Sequence, residues 1–172
     1  MFYTKHDSPI GLLLLAADGV GLTGIYFSDA HRHFKGIDGW ECADDHPHLI
    51  NTVGQLDEYF AGKRRDFDLP LHMIGTTFQR AVWNGLLSIP FGQTASYAEQ
   101  AMRIGHPRAV RAVGAANGRN PISIVVPCHR VVGTSGQLTG YAGGLEQKRF
   151  LLALENKYAA AQSQFDFTQP AR

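Results

Sequence analysis

The hydrophobic residues near the start of the chain fall into two short runs separated by a turn. Residues 12–17 and 20–27 are mainly apolar, and they flank Asp18-Gly19, a dipeptide typical of tight hairpin turns. This pattern predicts a β-hairpin at the beginning of the chain. Residues 28–47 are polar, contain glycine and are rich in histidine, and they predict a long irregular loop.

The spacing of the apolar residues then changes to that of a helix. The helix is expected to stop at Gly62, and residues 67–71 predict a return to a strand. A hairpin, a helix and a strand indicate a small α/β domain that ends near Gly75. The apolar positions of the helix are Leu49, Val53, Leu56 and Phe60.

From Thr76 onward the pattern is mainly helical. Residues 76–79 and 96–99 each form a capping box, in which the first and fourth side chains can bond the free N–H groups of a helix start. The first helix is expected to end at 90–92 and the second near Arg103. The first helix presents an apolar stripe of Phe78, Val82, Trp83 and Leu86.

A third helix is predicted over 107–117, after a tight connection at 104–107. Two helices joined by a short turn have the layout of a helix-turn-helix. The third helix has a shallow surface from which Arg108 and Arg111 project, and such a surface fits a DNA groove. The alternative is close packing inside the protein. The small residues are Ala109, Ala112, Gly114, Ala115 and Ala116.

The most reactive group of side chains follows a short apolar run. Residues 124–126 predict a buried strand or a segment threaded through the core, and Pro127 ends it before Cys128, His129 and Arg130. A neighbouring base and a neighbouring positive charge can each lower the pKa of a thiol. The alternative is a buried structural cysteine.

A glycine-rich loop at 133–144 and a closing helix at 145–155 complete the pattern. A loop of this length predicts a wall of a binding site. Glu155 places a negative charge at the C-terminal end of the predicted helix, where the helix dipole disfavours it, and this indicates a specific partner for its carboxylate. A mobile tail is expected beyond Asn156. The residues expected to be buried on this helix are Leu151, Leu152 and Leu154.

Composition and charge describe an ordinary folded protein of one or two domains. The chain has 172 residues, of which 44% are hydrophobic and 18% charged, and its formal charge is +1. Between residues 103 and 130 there are five arginines and no acidic residue, so this part could face an anion or simply be solvated. These arginines are Arg103, Arg108, Arg111, Arg119 and Arg130.

Cysteine and histidine usage argues against a metal site. Cys42 and Cys128 are the two cysteines, too few for a disulfide framework or a cysteine-rich zinc site, and they favour the reducing cytoplasm. The N-terminus has no signal-peptide pattern, and the run 12–17 is too short to span a membrane. Four paired histidines are expected to be solvated rather than metal ligands: His31, His33, His46 and His48.

The cysteine segment resembles the active-site signature of the O6-alkylguanine-DNA alkyltransferases. Residues 117–131 fit this signature, and 140–144 and 151–155 continue it in register. The zinc-binding cysteines of some members are missing. The similarity runs from about Thr76 to Glu155, whereas residues 1–75 resemble the family only in their β-rich character. The family's fold implies an RNase H-like β-sheet with a helix in the α/β N-terminal domain at 1–75, and a mainly α C-terminal domain at 76–172 that contains a helix-turn-helix.

This resemblance implies DNA repair by transfer of an alkyl group from O6 of guanine, and also from O4 of thymine, to the protein's own cysteine. Cys128 would attack as a thiolate, and His129 would deprotonate it through a bridging water, because neighbouring side chains in an extended chain point apart. Glu155 would orient His129, Tyr97 would give a proton to the leaving guanine, and Asn120 would brace the turn. A thioether does not hydrolyse, so the protein would act once.

By the same resemblance, the partner is double-stranded DNA bound through the minor groove, with the alkylated nucleotide turned out of the stack. Arg111 would fill the space that it leaves. We expect a cytoplasmic monomer without a metal or a cofactor. The other residues expected to contact DNA or the base are Ser96, Ala109, Ala112, Gly114, Ala115, Asn117, Arg130, Tyr141, Ala142, Gly143 and Lys148.

Three alternative functions remain open on sequence grounds. A cysteine hydrolase would use Cys128, His129 and Glu155 as a triad and would turn over many times. A sensor would bind alkylated DNA without reacting, and the presence of Cys128 argues against it. A transcription factor would use the helix pair for an operator, and no additional regulatory domain is visible.

Overall fold

A four-stranded sheet forms the N-terminal part of the chain. The computed structural model describes residues 1–27 and 36–166, with side chains as far as residue 161. The strand order is β3-β2-β1-β4, with antiparallel pairing except between β1 and β4. The predicted hairpin is confirmed as β2 and β3, and β1 adds a second hairpin before it. The strands are β1 (Phe2–Ser8), β2 (Gly11–Ala17), β3 (Leu22–Phe27) and β4 (Glu41–Cys42).

Helix α1 (Pro47–Phe60) packs against β1, β2 and β3, as its apolar spacing predicts. It ends at the predicted stop signal, because Gly62 adopts the left-handed conformation with φ 73°. The amide of Gly62 bonds to the Tyr59 carbonyl and that of Lys63 to the Glu58 carbonyl, at 2.9 and 2.8 Å. These bonds satisfy two carbonyls that the helix end leaves free.

The predicted strand at 67–71 is wrong, since this segment pairs with the sheet only at a single bridge between Leu71 and Leu22. Pro70 has no N–H to donate, and it uses its carbonyl to accept from Leu22 at 2.8 Å. The segment therefore crosses the edge of β3 without extending the sheet.

Strand β3 also receives the segment that leads to the cysteine. The amide of Ile25 donates to the Pro121 carbonyl at 2.8 Å, and Ile25 forms a parallel bridge with Ile122. Both isoleucines are fully buried in one hydrophobic cluster that includes residues of the N-terminal and C-terminal parts. The N-terminal sheet thereby fixes the start of the segment 121–127.

The C-terminal part consists of helices and a two-stranded parallel sheet. Both predicted capping boxes are present, at Thr76 and at Ser96. The elements are α2 (Thr77–Leu86), β5 (Ala95–Ser96), α3 (Tyr97–Arg103), α4 (Val110–Asn117), β6 (Val131–Val132) and α5 (Leu145–Asp166), with β5 pairing β6.

Helix α4 begins later than the predicted start at Pro107. The amide of Ala109 bonds to the His106 carbonyl at 2.9 Å, which closes a separate turn before the helix begins at Val110. Arg108 therefore lies on this turn, while Arg111 lies on the helix.

Helix α5 is longer than predicted, since it continues through Glu155 to Asp166. The residues after Asn156 are rich in alanine and glutamine, which favour a helix, and Pro170 is the first strong breaker. The sequence places residues 157–166 in a tail, whereas the structure has them in the helix, and residues 167–172 lie outside the described part of the chain. Leu151 is fully buried as expected, whereas Leu152 and Leu154 are only partly buried.

Replacement of Leu56 tests how strongly α1 depends on the sheet. Leu56 is fully buried and Ile50 on the same helix is 56% exposed. We expect Leu56→Ala to lower the free energy of unfolding by about 2–5 kcal/mol, because it leaves a cavity in the core. Ile50→Ala is the matched control and should change it by less than about 1 kcal/mol. Equal effects of the two substitutions in urea denaturation would contradict this packing.

Candidate active site around Cys128

Cys128 lies at the start of a short 3-10 helix, Cys128–Arg130, rather than in an extended strand. Residues 122–130 are all buried, and residues 123–125 form a turn rather than a strand, so the interpretation as a segment threaded through the core is confirmed. Ile124 adopts φ 73°, a left-handed conformation that costs a β-branched residue of the order of 1–3 kcal/mol. Strain of this kind persists only where the surrounding contacts leave the backbone no alternative.

The side chain of Asn120 provides those contacts. Its Oδ1 accepts from the amide of Ile122 at 3.1 Å, and its Nδ2 donates to the Val126 carbonyl at 2.8 Å. The same Nδ2 lies 3.2 Å from Cys128 Sγ. One amide group thus spans the turn and also contacts the sulfur.

The pKa of the Cys128 thiol is raised, contrary to the expectation that its neighbours would lower it. Burial is the dominant cause, and it outweighs the hydrogen bond from Asn120 and the positive charge of Lys148, which act in the opposite direction. Arg130 does not supply the positive charge that would lower the pKa of the thiol, because its guanidinium is paired with Glu155. The resting sulfur is therefore a thiol at neutral pH and needs a base.

His129 is a suitable base. It is fully buried, and its Nε2 lies 2.8 Å from Glu155 Oε1. Burial lowers the pKa of His129, even though Glu155 opposes this shift, so the imidazole is neutral at pH 7. A neutral ring that donates Nε2–H to a carboxylate carries its lone pair on Nδ1, and this atom has no partner among the described protein atoms.

Glu155 is surrounded by donors from three separate parts of the chain. Tyr59 donates its hydroxyl to Oε1 at 2.8 Å, and the amide of Gly92 donates to Oε2 at 3.0 Å. Arg130 donates through Nε at 3.0 Å to Oε2 and through Nη2 at 3.0 Å to Oε1. Glu155 was expected to have one specific partner. It has several hydrogen-bond donors instead, and Arg130 among them provides the opposite charge.

Sequence reasoning missed Tyr59 and Gly92. Tyr59 lies on the buried face of α1 and its hydroxyl needs a partner there, which was the available signal. No local pattern identifies the amide of Gly92.

Tyr97 is the first residue of α3. Its phenol oxygen lies 2.9 Å from Thr139 Oγ1 in the glycine-rich loop. Burial raises the pKa of Tyr97, so the phenol keeps its proton at neutral pH. Lys148 is fully buried and donates Nζ to the carbonyls of Val131 and Thr139 at 2.6 and 3.0 Å. Lys148 thus connects the glycine-rich loop to Val131.

The rest of the glycine-rich loop also closes over the cysteine. The hydroxyl of Tyr141 is buried, and the ring of Tyr141 meets that of His129 edge-on, with centroids 6.4 Å apart. Burial raises the pKa of Tyr141 well above its ordinary value, and the negative charge of Cys128, once its thiol has ionised, acts in the same direction. Gly143 approaches the ring of Phe27 so closely that a Cβ at this position would lie 2.7 Å from it.

Helix α4, which carries the small residues, exposes Arg111, Ala112 and Ala115 to solvent. Gly114 on this helix and Ala109 just before it are half-buried. Three of the residues predicted to contact DNA or the base are buried and bond within the protein. Lys148 is described above, and the other two are Asn117 and Arg130. Asn117 is buried and donates Nδ2 to Gln100 Oε1 at 2.6 Å, and Arg130 is only 6% exposed and is held by Glu155. Both bond inward, because burial requires their polar atoms to be satisfied within the protein.

Within residues 1–27 and 36–161, no cluster of three or more histidine, cysteine or acidic side chains could hold a metal ion. His46 and His48 are close, with ring centroids 5.4 Å apart, but His46 stacks on Phe2. His31 and His33 lie outside the described residues. No helix in the described ranges is long and apolar enough to cross a membrane.

Comparison with known proteins places the chain in one family. The model of the 6-O-methylguanine DNA methyltransferase ribonuclease-like domain matches residues 1–73, and that of the DNA binding domain of the same family matches residues 77–157. The chain therefore belongs to the 6-O-methylguanine DNA methyltransferase family. This finding agrees with the resemblance of the cysteine segment and with the mixed sheet and helical parts.

Individual relatives agree along almost the whole chain. A methylated-DNA–protein-cysteine methyltransferase of Methanosarcina acetivorans is 48% identical over 155 residues, which cover 90% of this chain and 98% of that protein. One of the same name from Mycolicibacterium paratuberculosis is 50% identical over 92% of this chain and 94% of that protein. A crystal structure of Mycobacterium tuberculosis OGT in complex with DNA superposes with a TM-score of 0.84, at 48% identity, covering 92% of this chain and 94% of that chain.

The charge of Glu155 predicts an acid-sensitive contribution to stability. Burial alone would raise its pKa, but the hydrogen bonds from His129 and Arg130 and the positive charge of Arg130 lower it from 4.5 to about 2. Since His129 is neutral, Arg130 is the lasting counter-charge. A depressed carboxyl pKa stabilises the fold above pH 4.5, and this contribution of roughly 3 kcal/mol is lost as the pH falls from 4.5 towards about 2.

Urea denaturation between pH 7 and pH 2.5 measures this contribution. The unmodified protein should lose stability below pH 4.5, and Glu155→Gln should lack that part of the loss. Glu146→Gln removes an exposed carboxylate from the same helix and is the control that should retain it. An unchanged acid profile in Glu155→Gln would show that the charge of Glu155 is not responsible.

Proposed function

We propose that this protein repairs DNA directly, by accepting the methyl group of O6-methylguanine on Cys128 in a single, irreversible reaction, with larger O6-alkyl groups and O4-alkylthymine as further substrates. The observation that carries the proposal is a buried thiol with a neutral, carboxylate-oriented histidine next to it in the chain. The relatives named for methyl transfer from DNA to a protein cysteine support the choice of reaction.

The first step is formation of the thiolate. His129 takes the proton of Cys128 through its free Nδ1, by way of a water molecule. The distance between the two side chains is not set by an extended backbone, as the sequence suggested, but by the 3-10 turn that carries both residues. Glu155 and Arg130 favour the tautomer that leaves Nδ1 free, and Asn120 and Lys148 stabilise the negative sulfur.

The second step is displacement at the alkyl carbon. The bond from Cys128 Sγ to carbon forms as the bond from carbon to guanine O6 breaks, and the electron pair remains on guanine. Tyr97 gives its proton to the guanine anion and is left as a phenolate, which solvent reprotonates later. The product is a thioether, which water does not cleave, so each molecule reacts once and a recycling hydrolase is disfavoured.

The proposed DNA-binding element is the pair α3 and α4 in a helix-turn-helix arrangement. Arg111, Ala112 and Ala115 are exposed on α4, which suits docking in a shallow minor groove. The target nucleotide must leave the duplex, since a buried thiol cannot reach a stacked base, and Arg111 occupies the space it leaves. Ser96 at the start of α3 and Ala142 in the loop, both half-buried, complete the proposed surface around the extruded base, and the buried Gly143 lies behind it against Phe27.

We also propose that a cytoplasmic monomer is the active form. All the groups used in these steps lie within one chain, so no second copy is needed. Cys42 and Cys128 are both free thiols, which fits a reducing compartment. A mass that doubles on binding damaged DNA would argue against the monomer.

Transfer of the methyl group can be located by mass spectrometry. After incubation with a duplex containing O6-methylguanine, we expect one adduct of a single methyl group on Cys128, and none in Cys128→Ala. Cys42→Ser is the matched control, because Cys42 is exposed and lies far from Cys128 in the sequence. A methyl group on Cys42 instead, or several turnovers per molecule, would refute the proposed reaction.

Arg111 can be tested by comparing substrates. We expect Arg111→Ala to slow transfer from duplex DNA about tenfold, which corresponds to about 1.4 kcal/mol, because extruding a paired nucleotide becomes harder. Transfer from single-stranded DNA should change much less. Arg80→Ala removes an exposed arginine on α2 and controls for net charge. An equal loss on both substrates would indicate simple phosphate binding instead.

A further inference from the structure

Among the residues that the structure describes, the hydroxyl group of Tyr97 has one hydrogen-bond partner, and that partner comes from the glycine-rich loop. Thr139 Oγ1 lies 2.9 Å from the phenol oxygen. Thr139 lies between β6 and α5, in a stretch with no regular secondary structure, so its own position needs an explanation.

Lys148 holds Thr139 in place. Its Nζ donates to the Thr139 carbonyl at 3.0 Å and to the Val131 carbonyl at 2.6 Å, which joins the loop to β6. Lys148 is fully buried, so its bond to Val131 is shielded from competing water, and its bond to Thr139 is partly buried. A continuous chain of hydrogen bonds therefore runs from β6 through Lys148 and Thr139 to Tyr97.

The direction of the last bond decides what it does. A phenol oxygen has one proton to give and lone pairs to accept with, and a threonine hydroxyl has one proton as well. If the threonine donates, the proton of Tyr97 stays free for the leaving guanine, and the phenolate formed afterwards keeps a donor. A hydrogen bond donated by Thr139 is expected to lower the pKa of Tyr97. The bond does lower this pKa, and it opposes part of the increase that burial causes.

We infer that Thr139 is a positioning residue for the alkyl transfer, which donates its hydroxyl proton to Tyr97 and thereby directs the Tyr97 proton towards the leaving base. This inference rests on the proposed function, because it concerns the proton that Tyr97 gives to guanine. No atom of Thr139 reacts. The proton that moves is that of Tyr97, and the bonds made and broken at sulfur and carbon are unchanged.

Single-turnover methyl transfer from an O6-methylguanine duplex tests the inference. Thr139→Val keeps the shape of the side chain and removes the hydroxyl, and we expect the rate constant to fall about tenfold, the effect of losing a hydrogen bond to a developing charge. Thr139→Ser keeps the hydroxyl and should restore most of the rate. Thr134→Val changes an exposed threonine of the same loop and is the matched control.

A double-mutant cycle separates positioning from a general weakening of the loop. In a Tyr97→Phe background there is no phenol to orient, so Thr139→Val should cause no further loss. The inference is overturned by an unchanged rate in Thr139→Val, by failure of Thr139→Ser to restore it, or by an equal loss in the Tyr97→Phe background.

The same measurements keep the two proposals apart. All variants that retain Cys128 should still reach one methyl group per molecule at long times, because Thr139 affects the rate and not the acceptor. If the unmodified protein takes up no methyl group, the proposed function fails. If it does so at the same rate as Thr139→Val, only the role of Thr139 fails.

Discussion

The buried carboxylate of Glu155 is the constraint on which the rest of the site depends. A charge without water is tolerated only when donors and a counter-charge surround it. Tyr59 arrives from α1, Gly92 from the segment after α2, and His129 and Arg130 from the cysteine turn. One carboxylate thus joins three parts of the chain. Because it needs hydrogen-bond donors around it, it holds the N–H group of His129 towards itself and so orients the ring.

Reactivity at Cys128 follows from burial rather than from a permanently activated thiol. Burial favours the neutral sulfur, and Asn120 Nδ2 lies 3.2 Å from it. In the proposed reaction the thiolate is formed with His129 as the base and Asn120 as a stabilising donor. The strained backbone at Ile124 is the cost of turning the chain so sharply in the core. A thiol protected in this way is less exposed to oxidation and to unrelated electrophiles.

Local signals predicted most of the secondary structure, and their failures have physical causes. The capping boxes at Thr76 and Ser96 depend on side chains within four residues, so they could be identified directly. The start of α4 was misplaced because a turn closed by Ala109 competes with the helix. The end of α5 was misplaced because Glu155 was interpreted as a terminal charge, whereas its partners lie on other elements.

The sequence by itself determined the reactive cysteine segment, the family resemblance that it carries, the hairpin of β2 and β3 and the succession of helices, because these depend on residues close together in the chain. Only the tertiary structure decided which groups surround the site. Tyr59 lies 96 residues from Glu155, and Thr139 lies 42 residues from Tyr97. The tertiary structure also decided that Arg130 and Asn117 bond within the protein, because a buried polar group needs a hydrogen-bond partner and the fold provides one for each.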